Sequence, residues 1–171
     1  MDPIPAPAAP GVCTITISDS RTKETDSGGA LLRKLLHDAG FALFAHEIVA
    51  DEVEAIQRAL RAAGATAGVD AIVLTGGTGI GPRDVTVEAV EPLLVRKLDG
   101  FGEAFRRLSW DEVGARSVLS RAIAGTFESR LVFVLPGSPK AVALGVDKLI
   151  VPLLRHAMHM VAGGGHHHHE P

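Results

Sequence analysis

The chain has 171 residues, 46% of them hydrophobic and 22% charged, with a formal net charge of -3 and a pI near 6.2. That balance suits one globular domain and excludes a disordered chain or a general nucleic-acid binder, which would carry a basic excess. Aromatic residues make up 4% and tyrosine is absent, which argues against a base-stacking platform as well.

Residues 1–11, "MDPIPAPAAPG", read as a flexible Pro/Ala-rich arm without the basic and apolar regions of a signal peptide. "VCTITIS" (12–18) alternates as a strand, placing Cys13, Ile15 and Ile17 on one face. "DSGGALLRKLLHDAG" (26–40) is predicted as a helix with a stripe of Leu31, Leu32, Leu35 and Leu36, capped by Asp26 or Ser27 and stopped by Gly40. A second strand (41–49), a second helix (51–64) and a wholly apolar third strand, "DAIVL" (70–74), follow. "DVTVEAVEPLL" (84–94) is predicted as a helix with Thr86 as N-cap. Two short helices with a loop between them are expected over 101–110 and 113–120, then an antiparallel pair of strands over 121–127 and 130–135. The segment 138–161 closes the domain as helix, bent or broken near Pro152, and 162–171 is a flexible Gly/His-rich tail. His166 to His169 could bind nickel or zinc, but a tail without fixed geometry is a poor functional site. Strands alternating with helices imply a three-layer α/β/α sandwich, Rossmann-like, with a mainly parallel sheet and an antiparallel edge pair, filling residues 12–161.

Cys13, the single cysteine, is expected to be a buried strand residue rather than a nucleophile. Lys140, Asp147 and Lys148 interrupt the most apolar part of the C-terminal half, so no membrane span is expected and the default location is the cytoplasm. His37, His46, His156 and His159 are scattered, as packing or solvated histidines usually are.

The chemistry gathers in the loops. "TGGTGIGPRD" (75–84) follows the third strand, where a sheet of this kind binds ligands beyond its carboxyl ends. Its glycines either form a tight turn needing positive φ or bare their N–H groups as a nest for phosphate. The spacing is neither a Walker A loop nor GxGxxG. "SDSRTKETDSGG" (18–29) and "LPGSPK" (135–140) fall on the same edge, the latter with Ser138 as helix cap or ligand contact. Asp51 and Asp84 could each cap a helix. Beside a phosphate nest the two carboxylates would instead need a cation between them, and Mg²⁺ is the natural one.

In this order "SDSRTKETDSGG", "TGGTGIGPRDVTVEAV", "GFGEAFRRLS" and "LPGSPKAV" resemble the MoaB/MogA family of molybdenum-cofactor biosynthesis proteins over residues 12–161. The resemblance implies a Rossmann-like three-layer fold and assembly as a homotrimer or homohexamer. It also implies molybdopterin adenylyltransferase activity, in which AMP from ATP joins the terminal phosphate of molybdopterin with Mg²⁺ and pyrophosphate is released. By motif, Asp51 and Asp84 match acids tied to metal-dependent catalysis. Thr75, Gly76, Gly77, Thr78 and Gly79 match the phosphate-cradling loop, Asp19, Ser20 and Ser138 line the shared pocket, and Glu103 is the acid of "GFGE". Three departures stand out: Ser20 lies between Asp19 and Arg21 of the usual "SDR", Leu74 replaces a first threonine, and Val87 stands where many relatives have proline. The resemblance also implies a downstream metal-insertion protein as a further partner, and the rival expectation within the family is a molybdopterin carrier or scaffold without significant catalysis.

Overall fold

A computed structural model describes residues 9–163; most of both expected arms, including His166–His169, lies outside the described residues. Six strands form one sheet in the order β2-β1-β3-β6-β5-β4. β1 (Gly11–Ile17), β2 (Ala42–Val49), β3 (Ala71–Thr75) and β6 (Arg130–Leu135) run parallel. β5 (Ile123–Phe127) pairs antiparallel with β6, and β4 (Arg96–Lys97) antiparallel with β5 at the edge. The expected antiparallel pair is present. The two-residue β4 was not anticipated, because two residues carry no periodicity and only the partner strand defines it. β1 begins one residue into the expected arm, where Gly11 N–H donates to Asp70 Oδ2 at 2.8 Å.

The alternation of strand residues divides the core in two. Val12, Val73, Leu131 and Phe133 face α1 (Ser27–Asp38), α4 (Asp99–Val113), α5 (Pro139–Gly145) and α6 (Val151–Val161). Cys13, Ile15, Ile17, Ile72 and Val132 face α2 (Val53–Ala65) and α3 (Thr86–Val90). Helices on both faces explain the unbroken apolar run of β3, all five of whose residues are buried. In α1, Leu32 and Leu36 are fully buried while Leu31 and Leu35 flank them; each fully buried leucine contributes roughly 1.5–3 kcal/mol. Gly40, at φ +82°, ends that helix as expected. Burial pushes the Cys13 thiol up, so it stays protonated and inert in the core.

Three helical expectations need correction. α3 is a single short helix over 86–90 followed by a 3₁₀ turn at Glu91–Leu93, and its N-cap is Val85. Thr86 does not cap it: its hydroxyl donates to Gly76 O at 2.8 Å, tying the helix to the glycine loop. The two short helices expected over 101–120 are one helix, α4, running on into a 3₁₀ turn (Gly114–Leu119), because no breaker occurs before Gly114 at φ +59°. Within 138–161 the irregularity is a π-helical turn at Val146–Ile150, placed just before Pro152 in α6. Proline has no N–H for the carbonyl one turn back and its ring crowds it, and the widened turn accommodates both.

Candidate active site

The carboxyl ends of β1, β2, β3 and β6 bring their loops into contact. Gly76 N–H donates to Leu135 O at 3.0 Å. A methyl at Gly28, in the first turn of α1, would stand 2.5 Å from Gly137 O, and one at Gly137 would stand 3.3 Å from Gly76 Cα. The three glycine-bearing segments therefore meet backbone to backbone, as their common sheet edge implies.

The loop after β3 has two consecutive left-handed residues, Gly76 (φ +99°) and Gly77 (φ +63°). A side chain at Gly76 would meet Ile17 O at 2.3 Å, and one at Gly77 would meet Thr86 Oγ1 at 2.3 Å and Asp51 Oδ1 at 3.2 Å. Glycine is required at both positions by conformation and by space. Beyond them the N–H groups of Gly77, Thr78, Gly79 and Ile80 have no hydrogen-bond partner among the described residues. Four successive free amides are the donor array of an anion nest. Thr75 and Gly76 support the nest rather than belong to it: Thr75 is buried in β3, its hydroxyl without a partner among the described residues.

Asp51 and Asp84 flank this loop, Asp51 beside Gly77 and Asp84 beside Gly79 and Gly81, where added methyls would each lie 2.8 Å from Asp84 Oδ2. Neither acid is a helix cap. α2 is preceded by Glu52, which makes no side-chain cap, and Asp84 Oδ2 accepts from Gly81 N–H at 2.8 Å. Asp51 and Asp19 form a reciprocal clasp: Asp51 Oδ2 accepts from Asp19 N–H at 2.9 Å, and Asp19 Oδ1 accepts from Asp51 N–H at 3.0 Å. Arg83 then donates from Nε and Nη2 to Asp19 Oδ2, at 3.0 and 2.7 Å. Oδ1 of Asp51 and Oδ1 of Asp84 remain without a partner among the described residues.

The electrostatics follow from this geometry. Arg83 and the Asp51 backbone hold the Asp19 carboxyl below its usual range. Burial first, and then the charge of Asp19, push Asp51 up, with Asp84 adding to the rise. Asp51 thus sits in a local excess of negative charge that a cation would relieve. No group of three or more His, Cys, Asp or Glu residues suited to a metal occurs among the described residues. Two free carboxylate oxygens fit Mg²⁺ bound jointly by protein and substrate phosphates, the usual manner for that ion.

The remaining expected residues divide. Ser20 is exposed on the first loop, its N–H donating to Ser18 Oγ at 3.2 Å. Ser138 is the N-cap of α5, accepting from Ala141 N–H at 3.3 Å. Glu103 lies on α4 and lines a neighbouring groove of about 350 Å³ with Lys97, Asp99, Arg106 and Arg121, not the Asp51–Asp84 cluster. Sequence reasoning missed Arg83 as the partner of Asp19 and missed Arg121 altogether. Arg121 donates from Nε to Gly79 O and from Nη2 to Asp84 O, both at 2.9 Å, and its own N–H reaches Thr78 O at 3.1 Å. No motif marks it, since it is 37 residues from Asp84 in sequence.

A row of unpartnered amides flanked by acids lies at the carboxyl edge of this three-layer sheet, and residues 13–156 match the family described as "Probable molybdopterin binding domain". The chain belongs to the MoaB/MogA family of molybdenum-cofactor biosynthesis proteins. It is 47% identical over 148 residues to molybdenum cofactor biosynthesis protein B of Bacillus subtilis (strain 168), covering 86% of this chain and 87% of that one. A crystal structure of a molybdenum cofactor biosynthesis protein B matches with a TM-score of 0.89 at 46% identity, covering 92% of this chain and 99% of that one. The molybdopterin biosynthesis enzyme MoaB from Thermus thermophilus matches with a TM-score of 0.78 at 35% identity, over 90% of this chain and 96% of that one.

Proposed function

We propose that the protein is a Mg²⁺-dependent molybdopterin adenylyltransferase. A phosphate oxygen of molybdopterin attacks the α-phosphorus of ATP, the bond to the β-phosphate oxygen breaks, and adenylyl-molybdopterin and pyrophosphate result. The observation that carries this reading is the row of unpartnered amides at Gly77–Ile80 between Asp51 and Asp84. The attacking phosphate is already anionic near neutral pH, so no strong base is needed. The difficulty is gathering anions and stabilising the charge on the departing pyrophosphate. In this reading the amides of Gly77, Thr78 and Gly79 hold phosphate oxygens, and the free oxygens of Asp51 and Asp84 hold Mg²⁺, which neutralises that charge when bound. The Asp19–Arg83 pair keeps the Asp51 loop in register. In the same reading Ser20, Ser138 and Glu103 contact the pterin end of the substrate.

In this reading the reaction takes place in the cytoplasm, where ATP is at hand; among the described residues no helix is long and apolar enough to cross a membrane. Assembly as a trimer or hexamer belongs to the same reading, and the exposed Trp110, Val113, Val118 and Leu119, close together in sequence, support it. The adduct, once formed, is a natural substrate for a metal-insertion protein. The deciding experiment combines the protein, molybdopterin, ATP and Mg²⁺ and measures pyrophosphate and adenylyl-molybdopterin. Stoichiometric release confirms the enzyme, whereas binding of molybdopterin without pyrophosphate makes it a carrier.

A further inference from the structure

Arginine beside a phosphate nest ordinarily suggests a cation for the ligand. The surroundings of Arg121 argue otherwise. A guanidinium has five N–H groups. Here Nε donates to Gly79 O at 2.9 Å, Nη2 donates to Asp84 O at 2.9 Å and Glu88 Oε2 at 3.3 Å, and Nη1 donates to Glu88 Oε1. Four of the five are therefore taken by the protein, and the positive charge is matched by Glu88 on α3. Meanwhile the Arg121 backbone N–H holds Thr78 O at 3.1 Å. Arg121, two residues before β5, thus holds two adjacent carbonyls in the glycine loop and the carbonyl of Asp84 at its end, and the same side chain walls the groove that contains Glu103.

We infer that Arg121, anchored by Glu88, is a positioning residue: it fixes the curvature of the 78–84 loop so that the free amides and the Asp84 carboxylate face one ligand together. The inference rests on the adenylyl-transfer reading for its catalytic consequence, but not for the clamp itself. Three carbonyl oxygens of one loop (Thr78, Gly79 and Asp84) turn toward Arg121, and because a trans peptide sets each carbonyl opposite the next residue's N–H, the amides of Gly79, Ile80 and Val85 turn away from it. That is how a fork donor on one side leaves the opposite side of the same peptides open to an anion. A lysine, a single point of charge, cannot bridge Gly79 O, Asp84 O and a carboxylate at once.

The test uses the full chain with Arg121→Gln, Arg121→Lys and Glu88→Gln. Without any ligand, hydrogen–deuterium exchange at Gly81, Asp84 and Thr86, whose N–H groups are hydrogen-bonded within the loop, is expected to rise about tenfold or more in Arg121→Gln, as loss of charge-assisted bonds implies. Strands β3 and β6 should keep their protection. Glu88→Gln retains the arginine and should give the same local pattern more weakly, which keeps the test decisive if Arg121→Gln folds poorly. Unchanged loop exchange in both variants overturns the clamp. In turnover, Arg121→Gln and Arg121→Lys should both lower kcat about tenfold to a hundredfold with KM for ATP within about threefold. A raised KM at unchanged kcat, or full rescue by lysine, would make Arg121 a phosphate-binding charge and overturn its positioning role. Wild-type protein without adenylyl transfer removes the proposed reaction, and the exchange result then decides the clamp by itself.

Discussion

Two aspartates, Asp26 and Asp51, stand just before successive helices, on opposite faces of the sheet but at the same edge, and their bonding differs. Asp26 is buried. Its Oδ1 accepts from Gly29 N–H at 2.9 Å, and its Oδ2 accepts from Thr16 Oγ1 at 2.6 Å and faces His46 Nε2 at 3.2 Å. His46 Nδ1 is 2.8 Å from Thr14 Oγ1, and Arg33 reaches the same hydroxyl at 3.3 Å. Both carboxylate oxygens are used, and the network pins the start of α1 to β1 and β2. Asp51 is half-buried with one oxygen in the Asp19 clasp and the other without a partner among the described residues. Surrounded by Asp19 and Asp84, it carries a charge the fold does not fully compensate. A carboxylate whose bonds are all made stabilises structure; one with a free oxygen and its pKa pushed up is a candidate to serve a ligand.

The largest effect expected from this contrast is on turnover. If the proposed reaction holds, Asp51→Asn and Asp84→Asn should each lower adenylyl transfer on the order of a thousandfold, ~4 kcal/mol of barrier, by removing a proposed Mg²⁺ ligand. Asn can still accept the Asp19 N–H, so in urea at neutral pH Asp51→Asn should be at least as stable as the wild type, and Asp84→Asn should still bind molybdopterin. Near-normal turnover would remove the proposed role. Asp26→Ala should show the reverse, losing about 3 kcal/mol of stability in the same urea titration because His46, Thr16 and the first turn of α1 lose their shared acceptor. A stable Asp26→Ala protein would erase the distinction between the two acids.

The pH dependence sharpens it further. Because Asp51 is raised, its carboxylate protonates at higher pH than an ordinary aspartate, so the acid limb of kcat/KM should lie above the unperturbed Asp value near 3.8 and vanish in Asp51→Asn. The sign for stability is opposite. A raised folded value means the charge opposes folding above that pH, so Asp51→Asn should gain relative to wild type as pH rises through it. The smallest effect belongs to Ser138→Ala, no more than about 1 kcal/mol for a lost cap, with turnover within about threefold. A collapse of turnover there would make Ser138 a ligand contact instead.

Much of this was legible in the chain. Period-two alternation in 12–18 and the apolar stripe of 26–40 set β1 and α1, and the sandwiched sheet followed from the run "DAIVL". The glycine loop, Asp51 and Asp84 were visible as strand-following residues because parallel sheets put such loops on one edge. β4 and the continuity of α4 were not, since the first has too few residues to show a period and the second ends at a glycine whose left-handed φ only the folded chain displays. Local spacing could not tell a capping acid from a bridging one either: Asp51 and Asp84 have cap-like neighbours, yet their partners are Asp19 and the glycine loop.

By itself, then, the order of residues determined the layers, the sheet edge that carries the loops and the family to which the chain belongs, because these depend on hydrophobic period and contiguous motif. Tertiary structure alone decided which amides stay free, which carboxylate oxygens are occupied and that Arg121 reaches back to the glycine loop. Those are distances between segments far apart in the chain, and only the packed sheet sets them.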